Sequence, residues 1–439
     1  MNNLKNVLIV GYGKSGKSVE SVLKSKNISY KIFDESINID GGNYITNINK
    51  KEMLLFDLVV ISPAISINSK LVKLAKRNGV KVISELEFGY LLLKSNLISV
   101  TGTNGKTTTV TLINEIIREN KKSITAGNIG VPLTEVAIKH PELDYVVCEV
   151  SSFQLESIDK YKSNVNIFLN IGDDHLDRHK TIDEYILAKG NLFKNNSEKT
   201  VNILNADDEM VVNKFKDVKG IKFYVSAEKE VQGVYVDDGK VMVNLLKNKH
   251  EFCKLNEFNF SKLFLIDILC AICVGVLMNI DESKILQKIK NFKMLNSRVE
   301  KVVEHNGVTY INDSKATNMH AVISCVKSID NDIILLLGGR NKGFNFKKLV
   351  SILPNNVKKV IAFGECCNQI IKCVQVRPEI ESFSFSTLDE AINKAWAIAW
   401  QNSTVLLSPA CASFDEFQSY AERGEFFKNK VLKLVKQNE

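Results

Sequence analysis

A strand, a glycine loop and a helix follow one another between Leu97 and Arg118, and no other stretch restricts the fold so tightly. The apolar run Leu97 to Val100 leads into Gly102-Thr-Asn-Gly-Lys-Thr-Thr-Thr109, and the amphipathic run Val110 to Arg118 comes next. Such a loop turns successive backbone N–H groups toward an anion, and the helix N-terminus behind it adds a favourable dipole. Gly102, Thr103, Asn104, Gly105 and Thr108 are the expected phosphate cradle. Lys106 can reach the β- and γ-phosphates of a nucleotide, and the Thr107 hydroxyl can hold Mg²⁺. Val100 stands where the strict P-loop spacing asks for its first glycine, so the textual match is to the last half of that pattern.

With 439 residues the chain exceeds one core, which predicts two to four domains. Its patterns restart twice, giving an α/β chain of three expected domains. These are a Rossmann-like N-terminal domain over 1–93, a central P-loop-type ATPase domain over 94–297, and a C-terminal Rossmann-like α/β domain over 298–439. The 58 basic and 50 acidic residues leave a formal charge of +8 with no basic run. That argues against nucleic acid and leaves at most a bias toward anionic small molecules. The nine cysteines are scattered. Cys270 and Cys273 lie in the apolar run Leu263 to Met278 and read as core rather than as a metal or redox pair, while Cys366-Cys367 lacks partners at zinc spacing. Reduced thiols and an N-terminus that enters a strand at once predict a cytoplasmic protein. Asp267 interrupts the longest apolar run, which falls short of the ~20 residues that span a bilayer.

Strand Asn6 to Val10 is followed by Gly11-Tyr-Gly-Lys-Ser-Gly16, and strand Tyr30 to Phe33 ends in Asp34. Alone, this reads as a nicotinamide dinucleotide site, but the same geometry accepts any nucleoside diphosphate. Further strands, Asp57 to Ile61 and Val80 to Ile83 ending at Glu85, complete a small parallel sheet. In the central domain, strand ends deliver Asn128 within Thr125 to Gly130, Glu149 before Ser151 to Leu155, and His175 within Asn170 to His179. Strands of a parallel sheet share one C-terminal edge, so Lys106, Thr107, Asn128, Glu149 and His175 are expected to face one crevice. Lys189 reads from its helix pattern as a solvated lysine. Residues 221 to 255 suggest short strands, and the run near 263 to 278 suggests a core helix. In the third domain, Lys301 to Ile311 reads as a hairpin closed at Asn306-Gly307. Strands Ile333 to Leu337, Val360 to Phe363 and Thr404 to Leu407 then alternate with helices. Lys315, Thr317, Lys342 and Ser413 would be donors there for a carboxylate ligand.

The motifs Gly102 to Thr109, Gly127 to Gly130, Glu149 to Leu155 and Asn170 to His179 together resemble the Mur ligases of bacterial cell-wall synthesis. Asn312 to Asn318, Leu337 to Gly343 and Leu407 to Phe417 narrow the likeness to the branch that adds D-glutamate to UDP-N-acetylmuramoyl-L-alanine. A sister ligase or a folylpolyglutamate-type ligase taking another amino acid is the alternative that the shared loop also fits. The resemblance implies that the first domain holds UDP through Lys14, Ser15 and Asp34. It also implies two Mg²⁺ sites drawing on Thr107, Glu149, His175 and Lys189, the last as a carbamate. Asn128, His175, Ser151 and Gln154 would meet the muramoyl substrate. Arg298 and Asp313 would meet the nucleotide. Lys315, Thr317, Lys342, Ser413 and Tyr420 would frame D-glutamate. Lys106, Asn128, His175, Lys189 and Lys315 would carry the catalysis, in a monomer. This chain departs from the family at Glu35-Ser36, where Thr-Arg is usual beside uracil. It departs again at Leu263-Phe264, where a His-Asn pair is usual, which implies stacking or apolar contact with adenine instead.

Overall fold

The computed structural model describes residues 4–37, 42–174, 176–245, 248–258, 260–293 and 296–438. Apolar β-branched runs make the strands of the first sheet: Asn6–Val10 (β1), Ser29–Phe33 (β2), Leu58–Ile61 (β3) and Lys81–Ser84 (β4), all parallel in the order β2-β1-β3-β4. Chain order reverses around β1, so the crevice beyond its C-terminal end is the place where such sheets take ligands. The helix Lys14–Ser25 lays Val19, Val22 and Leu23 on the sheet and leaves its first turn at that crevice.

The second sheet contains Asn96–Thr101 (β5), Ser123–Gly127 (β6), Tyr145–Glu149 (β7), Val165–Phe168 (β8) and Val201–Asn205 (β9). It continues through Ile221–Ser226 (β10), Gly233–Asp237 (β11), Lys240–Leu245 (β12) and Asn248–Lys254 (β13). The order is β13-β12-β11-β10-β9-β8-β5-β7-β6, parallel from β6 to β11 and antiparallel thereafter. The short strands expected over 221 to 255 thus extend one sheet. β5 runs between β7 and β8, with Val100 opposite both Glu149 and Ile167, so the glycine loop emerges at the sheet's centre. The apolar run becomes the helix Leu265–Leu277, with Cys270 and Cys273 buried in it and their thiols pushed up by burial.

The third sheet holds Glu300–His305 (β14), Val308–Asn312 (β15), Asp332–Gly338 (β16), Val357–Phe363 (β17), Glu381–Ser384 (β18) and Ser403–Ala410 (β19), in the order β14-β15-β19-β16-β17-β18. The expected hairpin is β14–β15. Its turn residues Asn306 and Gly307 have φ of 50° and 75°, the paired left-handed conformation that a two-residue hairpin loop requires. All nine cysteines are free thiols. No helix among the described residues is long and apolar enough to cross a membrane.

These sheets fall into two compact units. Met1–Ile171, Asp183–Asn259 and Phe264–Phe292 make one, with the first and second sheets; Gly172–Ile182, Phe260–Leu263 and Lys293–Glu439 make the other. In the first unit, Glu85 opens a short helix, Glu85–Tyr90, that rivets the two sheets. Glu85 accepts the Thr134 N–H at 2.8 Å, and Glu87 accepts the N–H groups of Asp159, Lys160 and Tyr161, each at 2.9 Å. Both carboxylates are buried.

Candidate active site

The loop after β5 is built around Gly105, which caps the helix Lys106–Ile117 at φ 85°. A Cβ there would lie 2.3 Å from Asp267 Oδ1, so only glycine permits both the left-handed turn and the approach of the core helix. Asp267, the charge that interrupts the apolar run, accepts the Thr109 hydroxyl at 3.0 Å. Asn170 receives the N–H groups of Thr103 and Asn104 at 3.0 and 2.9 Å, fixing the loop to the end of β8. Lys106 is folded back, its ammonium donating to the carbonyls of Gly102 and Thr103 at 2.8 and 2.7 Å. The Thr108 hydroxyl is buried without a hydrogen-bond partner, an unspent donor inside the loop.

Glu149 joins two other expected site residues. One carboxylate oxygen accepts the Thr107 hydroxyl at 2.8 Å and the other the Asn128 amide at 2.8 Å. Thr107 and Glu149 therefore present hard oxygen donors side by side, the chemistry that suits Mg²⁺, which keeps several waters and needs few protein ligands. Among the described residues no group of three or more His, Cys, Asp or Glu could by itself hold a metal ion. His175 lies outside the described residues.

Lys189 overturns the reading of a solvated lysine. It is 2% exposed, its ammonium donates to the Gly102 carbonyl at 2.8 Å, and it stands 4.7 Å from the centre of the Tyr185 ring. Two ammonium groups, those of Lys106 and Lys189, therefore converge on one carbonyl at the loop. Ser151 and Gln154 pair with each other in a capping box at the start of the helix Ser152–Leu155, and Gln154 is buried. Phe264, expected at the base of a nucleotide, is only 5% exposed, which leaves little ring surface for stacking.

In the first unit the crevice beyond β1 is a cleft of about 1260 Å³ whose walls include Tyr12, Lys14, Ser15, Asp34, Ser36 and Ser62. Asp34 accepts the Tyr12 N–H at 2.5 Å and the Ser36 N–H at 2.9 Å. Burial pushes its carboxyl up, but these bonds and the Ser36 hydroxyl outweigh burial and hold it below the usual range.

In the second unit, Lys342 donates to the Thr317 hydroxyl at 3.3 Å and lies 3.9 Å from Asp174, which also receives the Asn318 amide at 3.1 Å. The Lys315 ammonium stands 5.2 Å from the centre of the Tyr420 ring, and Ser413 is buried. Burial pushes the Asp313 carboxyl up to about 7 against the Ser408 hydroxyl, 2.9 Å away, and the charge of Arg298. Sequence reasoning gave no role to Asn170, Asp267, Glu85, Glu87 or Arg423. Of these only Asp267 carried a local signal, a lone charge inside an apolar helix.

Residues 5–84, 100–275 and 297–411 match family models described as the Mur ligase MurD-like N-terminal domain, the Mur ligase middle domain, and the Mur ligase, glutamate ligase domain. A UDP-N-acetylmuramoylalanine--D-glutamate ligase of Thermoanaerobacter sp. (strain X514) is 36% identical, over 98% of this chain and 98% of its own. The chain belongs to the Mur ligase family. A protein of the same name from Koribacter versatilis (strain Ellin345) is 33% identical over 99% of this chain and 98% of its own. Two solved structures share the Mur ligase fold at low identity. A pseudomurein peptide ligase type C from Methanothermus fervidus has a TM-score of 0.63 at 18% identity, covering 98% of this chain and 100% of its own. A MurF ligase from Thermotoga maritima in complex with ADP has 0.62 at 14%, covering 100% and 97%. Because residues 5–84 match the first domain of a ligase family, the nicotinamide reading of Gly11 to Gly16 is dropped.

Proposed function

We propose that this Mur ligase joins the amine of D-glutamate to the L-alanyl carboxylate of UDP-N-acetylmuramoyl-L-alanine, using ATP. The observation that carries this reading is the chain Thr107–Glu149–Asn128 beside Lys106, in a protein that aligns end to end with ligases of that activity. The L-alanyl carboxylate attacks the γ-phosphate, releasing ADP and leaving an acyl phosphate. The amine of D-glutamate then attacks the acyl carbon, and inorganic phosphate departs from the tetrahedral intermediate. Lys106, released from the Gly102 and Thr103 carbonyls, neutralises the phosphoryl oxygens, and the buried Thr108 hydroxyl gains the acceptor it lacks. A Mg²⁺ held by Thr107 and Glu149 would add Lewis-acid stabilisation of the same charge. Asn128, tied to Glu149, serves the muramoyl end with Ser151, a role that His175 would share, while the uridine end takes the cleft at Lys14, Ser15 and Asp34. Arg298 and Asp313 serve the nucleotide. Lys315, Thr317, Lys342, Ser413 and Tyr420 bind the two carboxylates of D-glutamate.

On this reading Lys189 is carbamylated. The buried Lys189 nitrogen, held at the Gly102 carbonyl, is the group that would capture CO₂. The carbamate then converts a cation into an oxygen ligand. Phosphate release is measured with ATP, Mg²⁺ and UDP-N-acetylmuramoyl-L-alanine, adding D-glutamate, L-glutamate, L-lysine or meso-diaminopimelate in turn. Release with D-glutamate alone is expected; release with another amino acid moves the chain to a sister activity. Protein equilibrated with ¹³C-bicarbonate is expected to show a carbamate carbonyl resonance that Lys189→Ala lacks, and its absence from the unsubstituted protein removes the carbamate.

A further inference from the structure

The donors assigned to D-glutamate hang from separate pieces of backbone in the second unit, and one buried side chain touches every piece. Arg423, in the helix Tyr420–Gln437, is 1% exposed. Its Nε donates to Ser314 Oγ at 3.0 Å, and its Nη2 to the carbonyls of Ser314 and Cys411 at 2.9 and 3.1 Å. Ser314 Oγ in turn donates to the Tyr420 carbonyl at 2.8 Å. Nη1 has no hydrogen-bond partner and faces Gly339, where a Cβ would stand 3.1 Å from it. Ser314 precedes Lys315, Cys411 lies two residues before Ser413, and Gly339 lies three before Lys342.

Among the described residues no carboxylate forms an ion pair with Arg423. Burial therefore pulls its guanidinium down to about 10, with Cys411, Asp415 and Glu416 opposing the fall. A buried charge held by two carbonyls and a hydroxyl, with no carboxylate, is a poor source of stability, since well-packed apolar side chains of similar volume usually do as well or better. What a guanidinium supplies is geometry, a rigid planar fork that fixes several acceptors at once.

We infer that Arg423 is a positioning residue for the amino-acid substrate, its guanidinium setting the spacing of the loops that carry Lys315, Lys342 and Ser413 relative to one another and to Tyr420 at the start of its own helix. The inference rests on the ligase reading above. A small substrate with two carboxylates is recognised by the distance between its donors, and errors near 1 Å in such a frame are costly.

The test is steady-state kinetics of Arg423→Lys and Ser314→Ala with each of the three substrates varied, alongside thermal melts. The first variant keeps the positive charge and loses the planar fork; the second removes the hydroxyl linking Nε to Tyr420. For Arg423→Lys we expect KM for D-glutamate to rise about tenfold or more, with KM for ATP and for UDP-N-acetylmuramoyl-L-alanine within about twofold. Ser314→Ala should shift the same constant in the same direction by less. A folded Arg423→Lys with unchanged KM for D-glutamate overturns the inference, and so does an equal rise in all three constants. If Arg423→Lys does not fold, Ser314→Ala decides by the same criterion. If the unsubstituted protein releases no phosphate in response to D-glutamate, the ligase reading falls and the inference with it.

Discussion

Buried polar groups in this chain find partners far away in sequence, and the candidate site is the densest case. Glu149 reaches back to Thr107 and Asn128, and Asn170 to Thr103 and Asn104, so each strand end secures its neighbour. A buried carboxylate that accepts two donors is stabilised in place, and replacing one partner leaves the other group unsatisfied. Asp313 shows the opposite balance, because burial outweighs its hydrogen bonds and its carboxyl rises to about 7. In the unfolded chain the same group titrates near ~3.9. Between about pH 4 and 7 the unfolded state therefore sheds a proton that the folded state keeps, so this group lowers stability as pH rises and has no further effect above that window. Asp313→Asn cannot ionise. Its stability relative to the parent should grow by roughly 3 kcal/mol between pH 4.5 and 7.5, read from urea midpoints at both pH values. A constant difference would mean that Asp313 ionises normally in the fold.

At the scale of elements, the contact between the helices Glu85–Tyr90 and Leu133–Lys139 is set by Gly89. A Cβ there would lie 2.5 Å from the Thr134 nitrogen and 2.7 Å from the Leu133 carbonyl carbon. Both are backbone atoms and cannot rotate aside, and Thr134 N–H is also the donor to Glu85. Gly89→Ala should therefore cost about 2–3 kcal/mol through overpacking, measured as a lowered denaturant midpoint. A midpoint within error of the parent would show that the helices separate freely. The hairpin β14–β15 could be read from Asn306-Gly307 because the turn chemistry is local. The rivet at Glu85 and Glu87 could not, because the N–H groups that these carboxylates accept belong to residues 134 and 159 to 161.

At the scale of the whole molecule, three sheets are divided between two compact units. The first and second sheets share the Glu85–Tyr90 rivet and a continuous set of contacts, whereas the third has its own two cores on either face of β15 to β19. Units with separate cores unfold as separate cooperative blocks. Scanning calorimetry should resolve two transitions, and Gly89→Ala should lower one while leaving the other in place. A single transition lowered as a whole would indicate one cooperative block. The residues of the ligase reading are divided between these units: Lys106, Thr107, Asn128, Glu149 and Lys189 in one, and Lys315, Thr317, Lys342, Ser413 and Tyr420 in the other.

The sequence by itself determined the α/β class, the glycine loop, the hairpin turn and the strand ends that bring Thr107, Asn128 and Glu149 together. Each depends on a short-range pattern: continuous apolar β-branched runs, glycines at left-handed turns, and a parallel sheet that collects its C-terminal ends on one edge. Tertiary structure alone decided the burial of Lys189 against Tyr185, the use of Gln154 as a helix cap, the covering of Phe264, and the gathering of three loops on Arg423. A side chain's cost or benefit in these places depends on whether water can reach it and which distant backbone groups face it. Neither quantity is a function of its neighbours along the chain.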